Sequence, residues 1–184
     1  HGHDTRAEEG ALGIADRKPV TQPAGGLARR QLQRLLRVVR DAELGEAELA
    51  QKAIGMAVQN GPGVSRYHAL AAQLALIKGE SETAGKEATL ALRLDPRNFA
   101  AAKILAKALT QDKKFKEAVS LIESMLKQVP GDPDLLGNLG LAYLGLKDKD
   151  KAKETFARLL EVAPDNSRAL AFLTALTADK DLAK

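Results

Sequence analysis

Four prolines, Pro62, Pro96, Pro130 and Pro164, stand 34 residues apart three times in succession. A fixed period between 20 and 50 residues marks stacked supersecondary units, so this spacing limits the fold before any motif is considered. Units that begin three residues after each proline divide the chain into blocks 31–64, 65–98, 99–132 and 133–166, with a half-length remainder from 167. Inside a block the apolar residues recur three and four apart, as in Leu136, Leu139 and Tyr143 and then Ala152, Phe156, Leu159 and Leu160. That is the period of one face of a helix. Each block therefore predicts two helices joined by a polar turn such as Lys147-Asp148-Lys149-Asp150. The second helix should end before the proline, which disfavours helical geometry in the residue ahead of it. Ala84, Ala118 and Ala152 fall at matching places, where small side chains let the paired helices approach closely.

Composition narrows the chemistry. At 184 residues one domain with a real core is expected, and aromatic residues at 3% with no Trp make that core aliphatic. The absence of Cys removes disulfide frameworks, thiolate metal sites and a Cys nucleophile together. A net charge of +4 from 28 basic and 24 acidic residues is too balanced to argue for nucleic acid or a membrane, and no nucleic-acid partner is expected. No apolar run reaches the roughly 18 residues a spanning helix needs. Residues 1–26 carry five Gly and two Pro without apolar period and read as a flexible leader, tag or linker ahead of a repeat domain at 27–184. The opening His1-Gly2-His3 has the nitrogen donors to chelate Cu(II) or Ni(II), but is read as a cloning remnant. A membrane anchor ahead of His1 and the cellular compartment both stay open.

The repeat resembles the tetratricopeptide family, whose unit is a 34-residue helix–turn–helix with a late proline. Block 133–166 carries the resemblance best, through Leu136, Asn138-Leu139-Gly140, Tyr143, Ala152, Phe156, Leu159 and Pro164. Block 99–132 matches through Leu105, Ala106, Leu109, Phe115, Ala118, Ile122 and Pro130, and block 65–98 through Ala72, Gly79, Ala84, Ala91 and Pro96. Block 31–64 is atypical. Arg34, Arg37 and Asp41 occupy apolar places of its first helix, and a one-residue offset would present Leu35, Val38, Val39 and Ala42 instead. The resemblance implies an all-α fold, a right-handed superhelix of stacked helix-turn-helix hairpins, because one hairpin cannot bury its own apolar face. A terminal capping helix at 167–178 should close the array with Leu170, Phe172, Leu173 and Leu176.

Catalytic chemistry finds no support. His68, the one histidine within the repeats, sits at a packing position. Gly85-Lys86 lacks the spacing and hydroxyl residue of a phosphate loop, and Asp148 and Asp150 lack the third ligand and turn glycine of a calcium loop. No enzyme activity, catalytic residue, metal or cofactor is expected.

The resemblance implies instead a concave groove lined by the first helix of each pair. The places concerned hold Arg66, Ala69, Leu70, Gln73 and Leu76, then Ala100, Lys103, Ile104, Lys107 and Thr110, then Asp134, Gly137, Asn138, Leu141 and Leu144, then Arg168, Ala171, Phe172, Ala175 and Ala178. Arg66, Gln73, Lys103, Lys107, Asn138, Leu141, Arg168 and Phe172 are the candidate peptide-binding residues, and the inward places as a set should be free of packing duty. The pattern is similar to the two-carboxylate clamp of some family members, which asks for Lys, Asn, Asn, Lys and Arg. Lys103, Lys107, Asn138, Arg168 and Phe172 stand there, so two agree, one exchanges Lys for Arg and two depart. The expected function is a protein–protein interaction module or scaffold whose groove takes a peptide, an acidic carboxyl-terminal tail with Lys103 as a principal contact. The alternatives are self-association through the outer face or array ends, and an anionic surface held by Arg29, Arg30, Arg34, Arg37 and Arg40.

Overall fold

The computed structural model describes residues 25–43 and 47–181. Those residues form nine helices and no strand: α1 (Gly25–Glu43), α2 (Ala47–Asn60), α3 (Ser65–Ile77), α4 (Ser81–Leu94), α5 (Phe99–Gln111), α6 (Phe115–Leu126), α7 (Pro133–Gly145), α8 (Lys149–Val162) and α9 (Ser167–Asp181). The leader assigned to residues 1–26 lies outside the described residues up to position 24, and Gly25 and Gly26 already belong to α1.

The helices pair as antiparallel-type hairpins, α1 with α2, α3 with α4, α5 with α6 and α7 with α8, and each second helix also packs on the first helix of the following pair. The first helices α1, α3, α5 and α7 touch in succession, which generates an α-solenoid rather than a closed bundle. Ala50, Ala84, Ala118 and Ala152, one per repeat at 34-residue intervals, are all fully buried. A larger side chain there would separate the second helix from its neighbours. In the atypical first pair Leu35, Val39 and Ala42 are buried and Val38 is half-buried, so the offset apolar stripe is the one that packs.

Two larger cores result, one spanning α1 to α3 and another spanning α5 to α9. Small alanine clusters join them, Ala69 with Ala91 and Ala101 and Ala75 with Ala84 and Ala108. Two inward places of block 65–98 therefore depart from expectation. Ala69 and Leu70 are buried because the first hairpin and α5 close over them. At the other end Ala169, Phe172, Leu173 and Leu176 pack on the core, but Leu170 is 55% exposed and closes nothing. A helix covers its neighbour with one stripe only, and Leu170 falls off that stripe.

The turns repeat as strictly as the cores. Gly79, Lys113 and Lys147, 34 residues apart, adopt positive φ of 79°, 61° and 63°. The next residue's N–H reaches back five residues in each case, Glu80 to Ala75, Lys114 to Leu109 and Asp148 to Tyr143, at 2.8–2.9 Å. This bond satisfies the last carbonyls of the first helix and reverses the chain. Asn98, Asp132 and Asn166, again 34 apart, each accept a hydrogen bond from the N–H three residues on, at 2.9–3.1 Å. They cap α5, α7 and α9 and set where each new repeat begins.

Candidate functional site

The inward faces of α3, α5, α7 and α9 enclose a groove of about 600 Å³. Its apolar surface comes from Leu76, Ile77, Ile104, Leu141 and Phe172, and its polar surface from Gln73, Lys103, Lys107, Asp134, Asn138, Asn166 and Arg168. Such a volume suits a few side chains of a ligand. Seven of the eight candidate residues meet in this groove; Arg66, exposed in the first turn of α3, is absent from its lining. Lys103 and Arg168, 65 positions apart in the chain, thus share one concave surface.

The cations of the groove are not equivalent. Lys103 Nζ lies 2.6 Å from Asp134 Oδ2 and 3.0 Å from Asp132 Oδ2, which ties α5 to the start of α7. Asp132 at the same time caps α7 by accepting from the Leu135 N–H at 3.0 Å. Partial burial works against charge on Lys103, but the hydrogen bonds and negative charges of Asp134 and Asp132 outweigh it and raise its pKa above 10.5. Burial likewise works against the Asp132 carboxylate, and the Leu135 N–H together with Lys103 overcomes it, holding the group below 3.8. The lysine expected to meet the ligand is engaged inside the protein.

Lys107 and Arg168, by contrast, have no carboxylate partner among the described residues. The Arg168 guanidinium carbon sits 5.7 Å from the centre of the Phe172 ring, and that ring stacks on Phe156 at 5.0 Å with a 12° interplanar angle. Phe172, which departs from the clamp pattern, thus supports the cation beside it through the negative face of its ring. Asn138, which also lines the groove, donates from Nδ2 to the Asp134 carbonyl at 2.8 Å.

A second cleft of about 360 Å³ lies between α6, α7 and α8, lined by Glu123, Tyr143, Lys151, Glu154 and Arg158 among others. Acid and base alternate there. Tyr143 donates to Glu123 Oε1 at 2.5 Å beneath Lys151, whose Nζ is 5.3 Å from the ring centre. Burial first, then the bond and charge of Glu123, push the Tyr143 phenol up to about 12. His68 is 4% exposed, with Nδ1 2.8 Å from Glu87 Oε2 and Nε2 3.0 Å from the Pro62 carbonyl oxygen. Both ring nitrogens are engaged in joining α3 to α4 and to the preceding turn. Among the described residues no group of three or more His, Asp or Glu side chains could hold a metal, and no helix is long and apolar enough to cross a membrane.

Stacked helical hairpins around a concave groove define a helical-repeat scaffold. Two sequence models of the tetratricopeptide repeat match residues 71–133 and 109–176, together more than half of the 184-residue chain. A curated relative, the protein CTR9 homolog of Arabidopsis thaliana, is 33% identical over 102 residues; these are 55% of this chain and 9% of that protein. The chain therefore spans about a tenth of that relative. Among solved structures, residues 41 to the end of MamA from Desulfovibrio magneticus RS-1 superpose with a TM-score of 0.72 at 22% identity, covering 84% of each chain. PilF of Pseudomonas aeruginosa gives a TM-score of 0.72 at 22% identity over 83% of this chain and 68% of that one. At such identity these structures show the fold alone. The chain belongs to the tetratricopeptide repeat family, a class of scaffolds that bind protein partners and are typically not enzymes.

Proposed function

We propose that the concave groove holds a peptide segment of a protein partner, one that carries acidic and apolar side chains together. The observation that carries this reading is the meeting of two cations without a carboxylate partner among the described residues, Lys107 and Arg168, with the apolar surface of Ile104, Leu141 and Phe172 in one groove. A charge-assisted hydrogen bond contributes about 1.5–3 kcal/mol when partly desolvated. Two of them with one or two buried apolar side chains supply roughly 5–12 kcal/mol before the cost of association is subtracted, which leaves micromolar or weaker binding. Gln73 and Asn138 supply neutral hydrogen-bonding groups along the same surface.

An array of random octapeptides probed with the 184-residue chain tests the reading. Captured peptides should be enriched in Asp or Glu next to Leu, Ile or Phe, and Lys107→Glu combined with Arg168→Glu should weaken capture at least tenfold. Capture without acidic enrichment, or unchanged capture by the double variant, would overturn it.

Self-association is favoured by a separate observation. Of the seven large exposed apolar residues among the described ones, Leu36, Leu49 and Met56 lie on the first hairpin and Val162 and Leu170 near the last helix, while Leu94 and Leu146 lie between them. Repeat arrays leave an uncovered face at each end, and contact between unlike ends would build chains of molecules. Light scattering at rising concentration should then show growing mass, and a strict monomer throughout would remove this option.

A further inference from the structure

We infer that Asp134 is a built-in occupant of the Lys103 position, so that the groove accepts one ligand carboxylate, at Lys107 and Arg168, and discourages a second beside Lys103. The inference rests on the peptide-groove reading and specifies its ligand.

Three observations carry it. Lys103 Nζ is within hydrogen-bond distance of two carboxylates, and the trio Lys103, Asp132 and Asp134 bears a net charge of −1. An incoming carboxylate there meets surplus negative charge instead of a free cation. The Asp134 side chain is 71% exposed, unlike Asp132 at 19%, so it stands where ligand would approach and has no packing role to explain its place. Lys107 lies one turn further along α5 on the same groove surface, without a partner among the described residues. The groove thus presents a filled cationic position followed by an open one.

The partner that fits is a segment with a single acidic side chain next to apolar ones. A chain end that offers two carboxylates gains nothing from the second. Asp134 sets this preference by charge alone, since among the described residues its side chain bonds only to Lys103.

Calorimetry with the pentapeptide acetyl-ALALE tests the point. Its free acid carries two carboxylates on the last residue and its amide carries one. The unaltered protein should bind both forms within about twofold. Asp134→Asn should bind the free acid about fivefold more tightly than the amide, because a neutral trio no longer repels the second carboxylate and an N–H of the Lys103 ammonium is free to donate to it. Asp134→Ser should do the same, which separates charge from side-chain shape. A fivefold preference of the unaltered protein for the free acid, or equal binding of both forms by the two variants, would overturn the inference while leaving the groove reading intact. Failure of every protein to bind either form would instead remove the groove reading, and this inference with it.

Discussion

Lys113 and Lys147 occupy a backbone region that L-residues enter at a cost of about 1–2 kcal/mol, and Gly79 fills the equivalent turn without that cost. Both lysine side chains are exposed, so little packing offsets the strain. Glycine is free of the steric penalty but enlarges the freedom of the unfolded chain, which leaves a net gain of about 0.5–1 kcal/mol at each site. Lys113→Gly and Lys147→Gly should each raise the urea midpoint, while Gly79→Ala should lower it. A decrease for either lysine variant would show that the turn is not strained. The same residues mark what the sequence leaves hidden. The 34-residue recurrence of positions 79, 113 and 147 is readable, yet two lysines do not advertise a left-handed turn. Lys103 was similarly concealed: its partners stand 29 and 31 residues away, and only the superposition of consecutive repeats brings α5 over the start of α7. Asp132 did carry a signal, since Asn98 and Asn166 flank it at one repeat length and all three residue types cap helices.

The α7 helix shows how a repeat element is held at both its start and its middle. Its cap, Asp132, has a carboxyl pKa below 3.8, so the folded state gains stability that is fully present above the unfolded value near 3.9. That contribution is lost as pH falls through the lower folded value. Lys103, raised above 10.5, contributes below the unfolded value and loses its share as pH rises past the folded one. Stability should therefore be level between about pH 5 and 9 and fall on both sides. Asp132→Asn retains a capping oxygen but not the charge, and should flatten the acid limb in urea titrations from pH 3 to 7; an unchanged limb would assign the acid loss to other groups. In mid-helix, an alanine at Gly140 would bring Cβ within 2.6 Å of the Phe156 ring, which is pinned by its stack on Phe172. Gly140→Ala should cost about 1–3 kcal/mol through overpacking. Gly85 in α4 has only the Ala108 Cβ within 4 Å, at 3.9 Å, so Gly85→Ala should stabilise by about 0.5–1 kcal/mol. Equal effects of the two substitutions would contradict this account of helix packing. Element number and spacing were legible because one period governs turn, cap and core alike. Which inward places pack was not, since Leu70 is covered by a hairpin whose apolar stripe is shifted from that of its neighbours and Ala69 by Ala91 and Ala101 of α4 and α5.

An array stabilised by contacts between neighbours is vulnerable at its ends, because a terminal unit has one interface where an inner unit has two. The carboxyl-terminal end depends on α9, a first helix that follows the last complete hairpin. Ala169, Phe172, Leu173 and Leu176 of α9 pack against the core that contains Phe156 and Leu159. Fully burying one large apolar side chain is worth about 1.5–3 kcal/mol, and partial burial a fraction of it, so the helix contributes roughly 3–5 kcal/mol. For a domain of this size that corresponds to about 10 °C in Tm. A chain ending at residue 166 should melt about that much lower and aggregate, since Phe156 and Leu159 would face solvent. Leu170→Gln is the matching control. Leu170 is on α9 but mostly exposed, so this change should leave Tm within about 2 °C while a packing change, Leu173→Gln, moves it several-fold further. The groove shares this dependence, because Arg168 and Phe172 belong to α9 and lining residues of α5 and α7 do not form the surface alone. Loss of α9 should accordingly abolish peptide capture at temperatures where the shortened chain is still folded by circular dichroism. Retained capture by that folded, shortened chain would place the binding surface elsewhere in the array.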